Sequence, residues 1–128
     1  MFKQNDIDTI ESIHGCIGTC TDMFLELRGQ GDAEENVDSF RHKIEEDLAF
    51  IDGKMSTLLV EDTLHLTLWA ARMGLCRKTM DTLDKNLAFK GKRQWSWEEV
   101  ARAMAYLLLV RDGAKATLAL NGVDTFEP

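Results

Sequence analysis

Proline is almost absent from this sequence, because the single one is the last residue, Pro128. Proline is the residue that most strongly interrupts helices, so its absence leaves the chain free to form long ones. No run of about 20 apolar residues is present, which is the length needed to span a bilayer as a helix. The sequence therefore predicts an all-α protein that does not enter the membrane.

Cysteine is also scarce, and the three cysteines are an odd number with no secretory segment at the start of the sequence. We therefore expect reduced thiols and a cytoplasmic location. The motifs GxSxG, GxGxxG and CxxC and the phosphate-binding loop are all missing. Cys76 lies beside Arg77 and Lys78, which predicts a lowered thiol pKa, but no general base accompanies it. The sequence gives little support to nucleophilic catalysis.

The most apolar stretch is residues 58–75, with the sequence LLVEDTLHLTLWAARMGL. Its leucines, Trp69 and Met73 fall on every side of a helix, and a helix that is apolar all round has to be covered all round. The stretch predicts an all-α bundle of four to five helices with a central apolar helix at about residues 57–74. At this length we expect a single domain over residues 1–128.

The first helix is predicted at residues 6–28 and has an apolar seam at alternating spacings of three and four. Gly15 and Gly18 lie beside this seam, which indicates a close helix crossing. We interpret the seam as the contact surface of a homodimer. The residues assigned to this contact are Ile10, Ile13, Ile17 and Phe24.

The remaining helices have weaker boundaries. The second helix is predicted to begin at Asp32 and to stop at Asp52-Gly53, and a fourth to follow the central one almost at once. The last has the clearest start, because Ser96 and Glu99 have the spacing of a capping box. Asn121-Gly122 predicts where it ends.

Charge is unevenly distributed along a chain whose net charge is −7. Residues 1–71 carry a net charge of −10, whereas residues 72–95 carry +5. The acidic face of the second helix predicts binding to a basic partner, and the basic segment predicts contact with an anion or with single-stranded nucleic acid stacked on Trp95 and Trp97. For both the acidic face and the basic segment, a charged helix surface exposed to water is the simpler interpretation. The candidate anion contacts are Lys85, Lys90, Lys92 and Arg93.

A second interpretation of the acidic residues is a metal site in the bundle. Glu11-x-x-His14 and Asp62-x-x-His65 each place a carboxylate and an imidazole on one helix face. Two such pairs, with one further glutamate from each of two other helices, hold iron or manganese in di-metal bundles. Residues 45 or 46 and 98 or 99 are the available glutamates. His65 as a hydrogen-bonded core histidine is the alternative.

A third interpretation comes from a resemblance. The run Glu61-Asp62-Thr63-Leu64-His65, with Arg72-Met73-Gly74-Leu75 and then Asp84-Lys85-Asn86, resembles a helix of the MazG-like all-α nucleotide pyrophosphohydrolases. This resemblance implies a Mg²⁺ ion held against the phosphates of a nucleotide. Asp62-x-x-His65 departs from the family's second acidic pair, and alignment on Gly74 places Leu58 at its glutamate. The implied metal ligands are Glu35, Asp38, Glu61 and Asp62.

Taken together, these patterns favour a small non-catalytic interaction module for a macromolecular partner. We expect a homodimer without a cofactor that binds another protein, and nucleic acid stays an open alternative. The enzyme alternatives are the Mg²⁺-dependent pyrophosphohydrolase and the di-metal carboxylate and histidine bundle.

Overall fold

The fold is an all-α bundle, seen in a computed structural model that describes residues 2–58, 63–91 and 94–124. Its helices are α1 (Gln4–Gly29), α2 (Glu34–Met55), α3 (Thr63–Lys90) and α4 (Trp97–Leu120). No strand occurs within the described ranges. The predicted all-α bundle of four to five helices is therefore confirmed, with four helices in the described part of the chain.

The helices share one apolar core, to which each contributes a single stripe. Helix α1 packs against α2 and α4, and α3 packs against α4. None of the described helices has the combination of length and apolar character that is needed to cross a membrane. The most deeply buried large side chains are Trp69, Phe40, Ile10, Ile13, Ile17, Ile44, Ile51, Met73, Leu107, Leu118, Val100 and Val110.

Part of the stretch expected to form a fully covered central helix, residues 59–62, lies outside the described residues, and the rest is buried on one face only from residue 65 to residue 75. Trp69, Met73 and Cys76 point into the core, whereas Leu68 and Leu75 are 43% and 44% exposed. The helix also continues through Gly74 to Lys90, so that two predicted helices form one. In a bundle of four helices, each helix has at most three neighbours. Three neighbours are too few to surround α3. The prediction of all-round burial was wrong for this reason.

The apolar seam of α1 lies inside the protomer. Ile10, Ile13 and Ile17 are at most 1% exposed, and half-buried Phe24 packs against Phe40 and Trp97 with ring centroids 5.3 and 5.6 Å apart. These side chains are covered by α2 and α4 of the same chain. The assignment of the three isoleucines to a dimer contact is therefore corrected, because a partner subunit has no access to them, and for half-buried Phe24 the assignment stays a prediction.

The predicted start of the last helix is confirmed atom by atom. Ser96 is the N-cap of α4, and its Oγ accepts a hydrogen bond from the backbone N–H of Glu99 at 3.2 Å. The Glu99 carboxylate accepts the backbone N–H of Ser96 at 3.1 Å, which completes the capping box. At the other end, α4 stops before Asn121, and Gly122 follows with a φ of +79°.

Candidate functional site

Two ion pairs join α2 to α3 and define how the helices run. The Arg41 guanidinium donates to the Asp84 carboxylate, and the Arg77 guanidinium donates to the Asp52 carboxylate. Residue numbers rise along α2 from the first pair to the second while they fall along α3, so the two helices are antiparallel. The start of α2 consequently lies beside the end of α3, and Thr63, at the start of α3, lies at the opposite end of the bundle.

Two hollows lie between α2 and α3, on either side of the Arg41–Asp84 pair, and we call them together the acidic groove. The upper hollow has a volume of about 630 Å³ and is lined by Glu34, Glu35, Val37, Asp38, Arg41, Leu87, Gln94 and Trp95. The lower hollow has a volume of about 340 Å³ and is lined by Glu45, Leu48, Ala49, Asp52, Arg77, Met80, Asp81 and Asp84.

The junction between the hollows is fixed by Trp95. Its side chain is only 2% exposed, and its indole Nε1 donates a hydrogen bond to Oδ1 of Asp84 at 2.9 Å. The Arg41 guanidinium lies over the same indole, 4.6 Å from the ring centroid, and pairs with Oδ2 of Asp84. Trp95 immediately precedes the N-cap of α4. The capped helix start therefore holds the indole against α2 and α3.

The groove carries a surplus of negative charge. Among the described residues, seven carboxylates and two arginines line it, and these nine side chains carry a net charge of −5. Both arginines are already neutralised, by Asp84 and Asp52. Four other lining carboxylates form no ion pair within the described part of the chain. They belong to Glu34, Glu35, Glu45 and Asp81.

His42 lies on α2 next to Arg41 and one helical turn from Asp38, two residues that line the upper hollow. Its Nδ1 donates a hydrogen bond to the backbone carbonyl oxygen of Asp38 at 2.9 Å and lies 3.7 Å from the Asp38 carboxylate. The hydrogen bond, followed by the negative charge of Asp38, raises the pKa of His42 above its ordinary value. The positive form of His42 is thus favoured beside an acidic surface.

Two of the four carboxylates assigned to a Mg²⁺ site lie together. Glu35 and Asp38 both line the upper hollow, one helical turn apart on α2. Glu61 and Asp62 lie outside the described residues. The four-ligand set stays a prediction.

The di-metal interpretation places its two histidines on different helices. His14 lies on α1 and His65 on α3, both half-buried, and Asp62 lies outside the described residues. Among the residues that the structure does describe, histidine, cysteine and carboxylate side chains form no group of three or more able to hold a metal ion. The di-metal site also stays a prediction.

The aromatic residues proposed as stacking platforms for nucleic acid are not available for that role. Trp95 and Trp97 are 2% and 5% exposed, and Nε1 of Trp97 donates to the Gly31 carbonyl at 3.0 Å. Among the candidate anion contacts, Lys85 is exposed on α3 and Lys90 is the last residue of that helix. Lys92 and Arg93 lie outside the described residues.

The cysteine thiols are held in their protonated form. Burial raises the pKa of Cys76 to about 12, against a smaller opposing effect of the Arg77 charge. Burial and then the negative charge of Asp47 raise the pKa of Cys16 to about 12. Cys20 shifts in the same direction, also through burial. The lowered pKa predicted for Cys76 was wrong, because desolvation outweighs a neighbouring cation on the solvent side.

Sequence reasoning missed Arg41 altogether, and it assigned Trp95 to base stacking and Asp84 to the resemblance rather than to the junction of the groove. Their contacts join three segments, and nothing in the order of residues predicts the register between α2 and α3. Another ion pair could have been predicted from the sequence, because Lys43 and Asp47 have the i, i+4 spacing of a helical ion pair. In the structure, the Lys43 Nζ donates to the nearly buried Asp47 carboxylate at 2.9 Å.

Comparisons of this chain with protein-family models, with curated proteins and with solved structures give no match.

Proposed function

We propose that this protein is a non-catalytic interaction module whose acidic groove binds a basic segment of a partner protein. The observation that carries the proposal is the net charge of −5 on the described side chains that line the groove, where both described arginines are already paired. A lysine or arginine side chain entering the groove meets four carboxylates that form no ion pair within the described part of the chain. Charge complementarity of this kind accelerates association and selects partners by sign.

The dimensions of the groove suit an extended peptide. The lining residues of α2 run from Glu34 to Asp52, which corresponds to roughly 27 Å along a helix axis. An extended chain covers about 3.3 Å per residue, so about eight residues match the length of the groove. The fixed Trp95–Asp84–Arg41 junction lowers the entropic cost of binding, because these groups are already ordered.

The test is binding of an arginine- and lysine-rich peptide of about 8–12 residues, measured by isothermal titration calorimetry at physiological salt. The double variant Glu35→Lys with Asp38→Lys is expected to weaken binding about tenfold, since each lost charge pair contributes a few tenths to ~1 kcal/mol. Both side chains are exposed on α2, so the fold should be retained.

The matched control reverses two exposed carboxylates of α1 that do not line the groove, Asp22→Lys with Glu26→Lys. It changes the net charge by the same amount and is expected to weaken binding about twofold or less. Equal losses in the two double variants would show that the peptide responds to overall charge, and the groove would then not be the binding site.

A Mg²⁺-dependent nucleotide pyrophosphohydrolase is the second candidate, and the shared position of Glu35 and Asp38 in the upper hollow favours it. Carboxylates are the ligands that Mg²⁺ takes in nucleotide enzymes. Thermal unfolding with Mg²⁺ and a panel of nucleoside triphosphates separates the two functions. A stabilising shift of a few degrees, with pyrophosphate release that Glu35→Gln abolishes, would support the enzyme over the module.

We also propose that the protein is a homodimer. The support comes from α3 and α4 rather than from the seam of α1. Leu68, Leu75, Leu109 and Leu120 on these two helices are each more than 40% exposed. Leucines on a small protein in this number favour association through the surface that carries them. Light scattering is expected to give about twice the 14.5 kDa mass of the chain.

A further inference from the structure

A separate hollow lies between α3 and α4 and has a volume of about 330 Å³. The residues that α3 contributes to it are not those that line the acidic groove. We call it the basic hollow, because among the described residues two cations and no carboxylate line it. Its polar lining side chains are those of Lys78, Thr79, Thr82, Asn86, Arg102 and Tyr106.

The two cations of the basic hollow, Lys78 and Arg102, form no ion pair within the described part of the chain. The arginines of the acidic groove, by contrast, each pair with an aspartate. Asp81 follows Lys78 by three residues but lines the acidic groove. Of the two glutamates just before Arg102, Glu99 is engaged in the capping box, and Glu98 lines a hollow beside Trp97. The basic hollow therefore presents two positive charges that no described carboxylate neutralises.

The neutral polar groups of the basic hollow are equally unengaged. None of them makes a side-chain hydrogen bond to another described residue, and they belong to Thr79, Thr82, Asn86 and Tyr106. Four threonines of α1 and α4 instead donate their hydroxyl to the carbonyl oxygen four residues earlier. Hydroxyl and amide groups can each donate a hydrogen bond. The hollow thus combines two cations with neutral donors that have no acceptor in the described part of the chain.

We propose that the basic hollow binds a small molecule that carries a phosphate monoester. This group has a charge of about −1.5 to −2 at pH 7, which matches the two cations, whereas a carboxylate would leave one of them without a counter-charge. The guanidinium of Arg102 can bind two phosphate oxygens with its planar fork, and Lys78 supplies the second charge. The ligand is independent of the basic peptide proposed for the acidic groove.

The remainder of the ligand is expected to be small and apolar. Leu75 and Leu83 line the hollow together with Tyr106, and Leu75 is 44% exposed. An apolar ring resting on this wall would remove both surfaces from water. The volume of the hollow is at the lower end of the ~300–1,000 Å³ found for small-molecule sites. A ligand of one ring and one phosphate therefore suits the hollow better than a segment of a macromolecule.

Phenyl phosphate is the probe, because it joins one apolar ring to one phosphate monoester. In an NMR titration of the backbone amides, it is expected to cause saturable shifts in residues 75–86 and 102–106. Phenyl sulfate keeps the ring but has a single negative charge, and methyl phosphate keeps the charge without the ring. Each is expected to bind about fivefold more weakly. Equal affinity of either compound would contradict the assignment of a phosphate monoester with an apolar body.

Arg102→Gln is expected to weaken binding of phenyl phosphate about five- to tenfold, because the charge-assisted hydrogen bonds of the guanidinium are lost. The matched control is Lys85→Gln, which removes one positive charge from an exposed position of α3 outside the hollow. Its effect is expected to be twofold or less, because salt screens an exposed charge that makes no contact. Both positions are exposed, and the amide spectrum of each variant reports its fold in the same experiment.

Equal losses in Arg102→Gln and Lys85→Gln would show that the anion responds to the basic segment as a whole, and the hollow would then not be the site. The absence of saturable shifts at millimolar phenyl phosphate would overturn the proposal. A phosphoserine peptide that bound more tightly than phenyl phosphate would contradict the assignment to a small molecule. Arg102→Gln should leave binding of the basic peptide to the acidic groove unchanged, so the two sites are tested separately.

Discussion

Trp69 occupies the space that Gly113 leaves open on α4. A Cβ built on Gly113 would overlap Nε1 of Trp69 and lie 3.3 Å from its Cδ1 and Cε2 atoms. The indole is 2% exposed and cannot move without displacing core side chains. Glycine is used here for its missing side chain, because its φ is ordinary and helical.

We expect Gly113→Ala to destabilise the protein by about 1–2 kcal/mol. Overpacking a core costs about 1–3 kcal/mol, which exceeds the gain of up to ~1 kcal/mol from replacing a helical glycine by alanine. Urea unfolding measures the difference. Gly15→Ala is the matched control, since a Cβ there meets no atom within 4 Å. It should stabilise the protein by about 0.5–1 kcal/mol, and a loss in both variants would rule out the proposed clash.

At the scale of the element, the helices differ in how their ends are fixed. Helix α4 begins with a complete capping box, whereas the N-caps of α1 and α2, Lys3 and Ala33, make no side-chain cap hydrogen bond. The start of α4 also holds Trp95 in the groove. Its cap therefore contributes to the site as well as to the helix.

We expect Ser96→Ala to lower the unfolding free energy by about 1 kcal/mol, because the backbone N–H of Glu99 loses its partner. Thermal unfolding should show this as a decrease of roughly 3–6 °C for a chain of this size. Ser39→Ala, at an exposed position within α2, serves as the control and should leave the midpoint unchanged or slightly higher. Equal midpoints in the two variants would mean that the capping box contributes nothing.

The sequence predicted which segments form helices better than it predicted which helices pack against each other. The spacing of three and four identified the buried stripe of α1, since it depends on the geometry of one helix. The central helix was predicted to end at about Gly74. In the structure, α3 continues beyond Gly74, and Met73 and Cys76 on either side of it pack into the core. The seam of α1 was recognised as a packing surface but assigned to another chain, because spacing alone does not say which helix covers it.

At the scale of the whole molecule, the acidic groove was only half predictable. The acidic face of α2 was visible as a run of carboxylates, including Glu35 and Asp38. The opposite wall, with Asp81 and Asp84 from α3, depends on the antiparallel register and on the Arg41 and Arg77 ion pairs. That register is a property of the assembled bundle, so no local sequence pattern predicts it.

The negative charge of the groove is expected to favour binding of a basic peptide but to lower the stability of the fold. Glu45 lines the lower hollow without an ion-pair partner in the described part of the chain, and its neighbours in the hollow include Asp52 and Asp81. Glu45→Gln should raise the unfolding free energy by a few tenths of a kcal/mol, through relief of like-charge repulsion. The same variant should weaken binding of the basic peptide severalfold. Urea unfolding and calorimetry measure the two effects.

The control is Glu26→Gln, an exposed carboxylate of α1 outside the groove. It removes one charge from the same net total and should change both quantities less. If Glu45→Gln lowers stability, its carboxylate is making a favourable contact, and the repulsion argument does not hold for the groove.

The position of Trp95 gives the molecule a built-in optical probe. The indole is stacked under a guanidinium, bonded to a carboxylate, and placed on the wall of the upper hollow. Any cation that competes for Asp84 or displaces Arg41 changes the electric field on that ring, and so its emission. Exchange of Trp69 and Trp97 for phenylalanine would leave Trp95 as the single tryptophan. Its fluorescence could then be used to follow occupancy of the groove in the untagged protein.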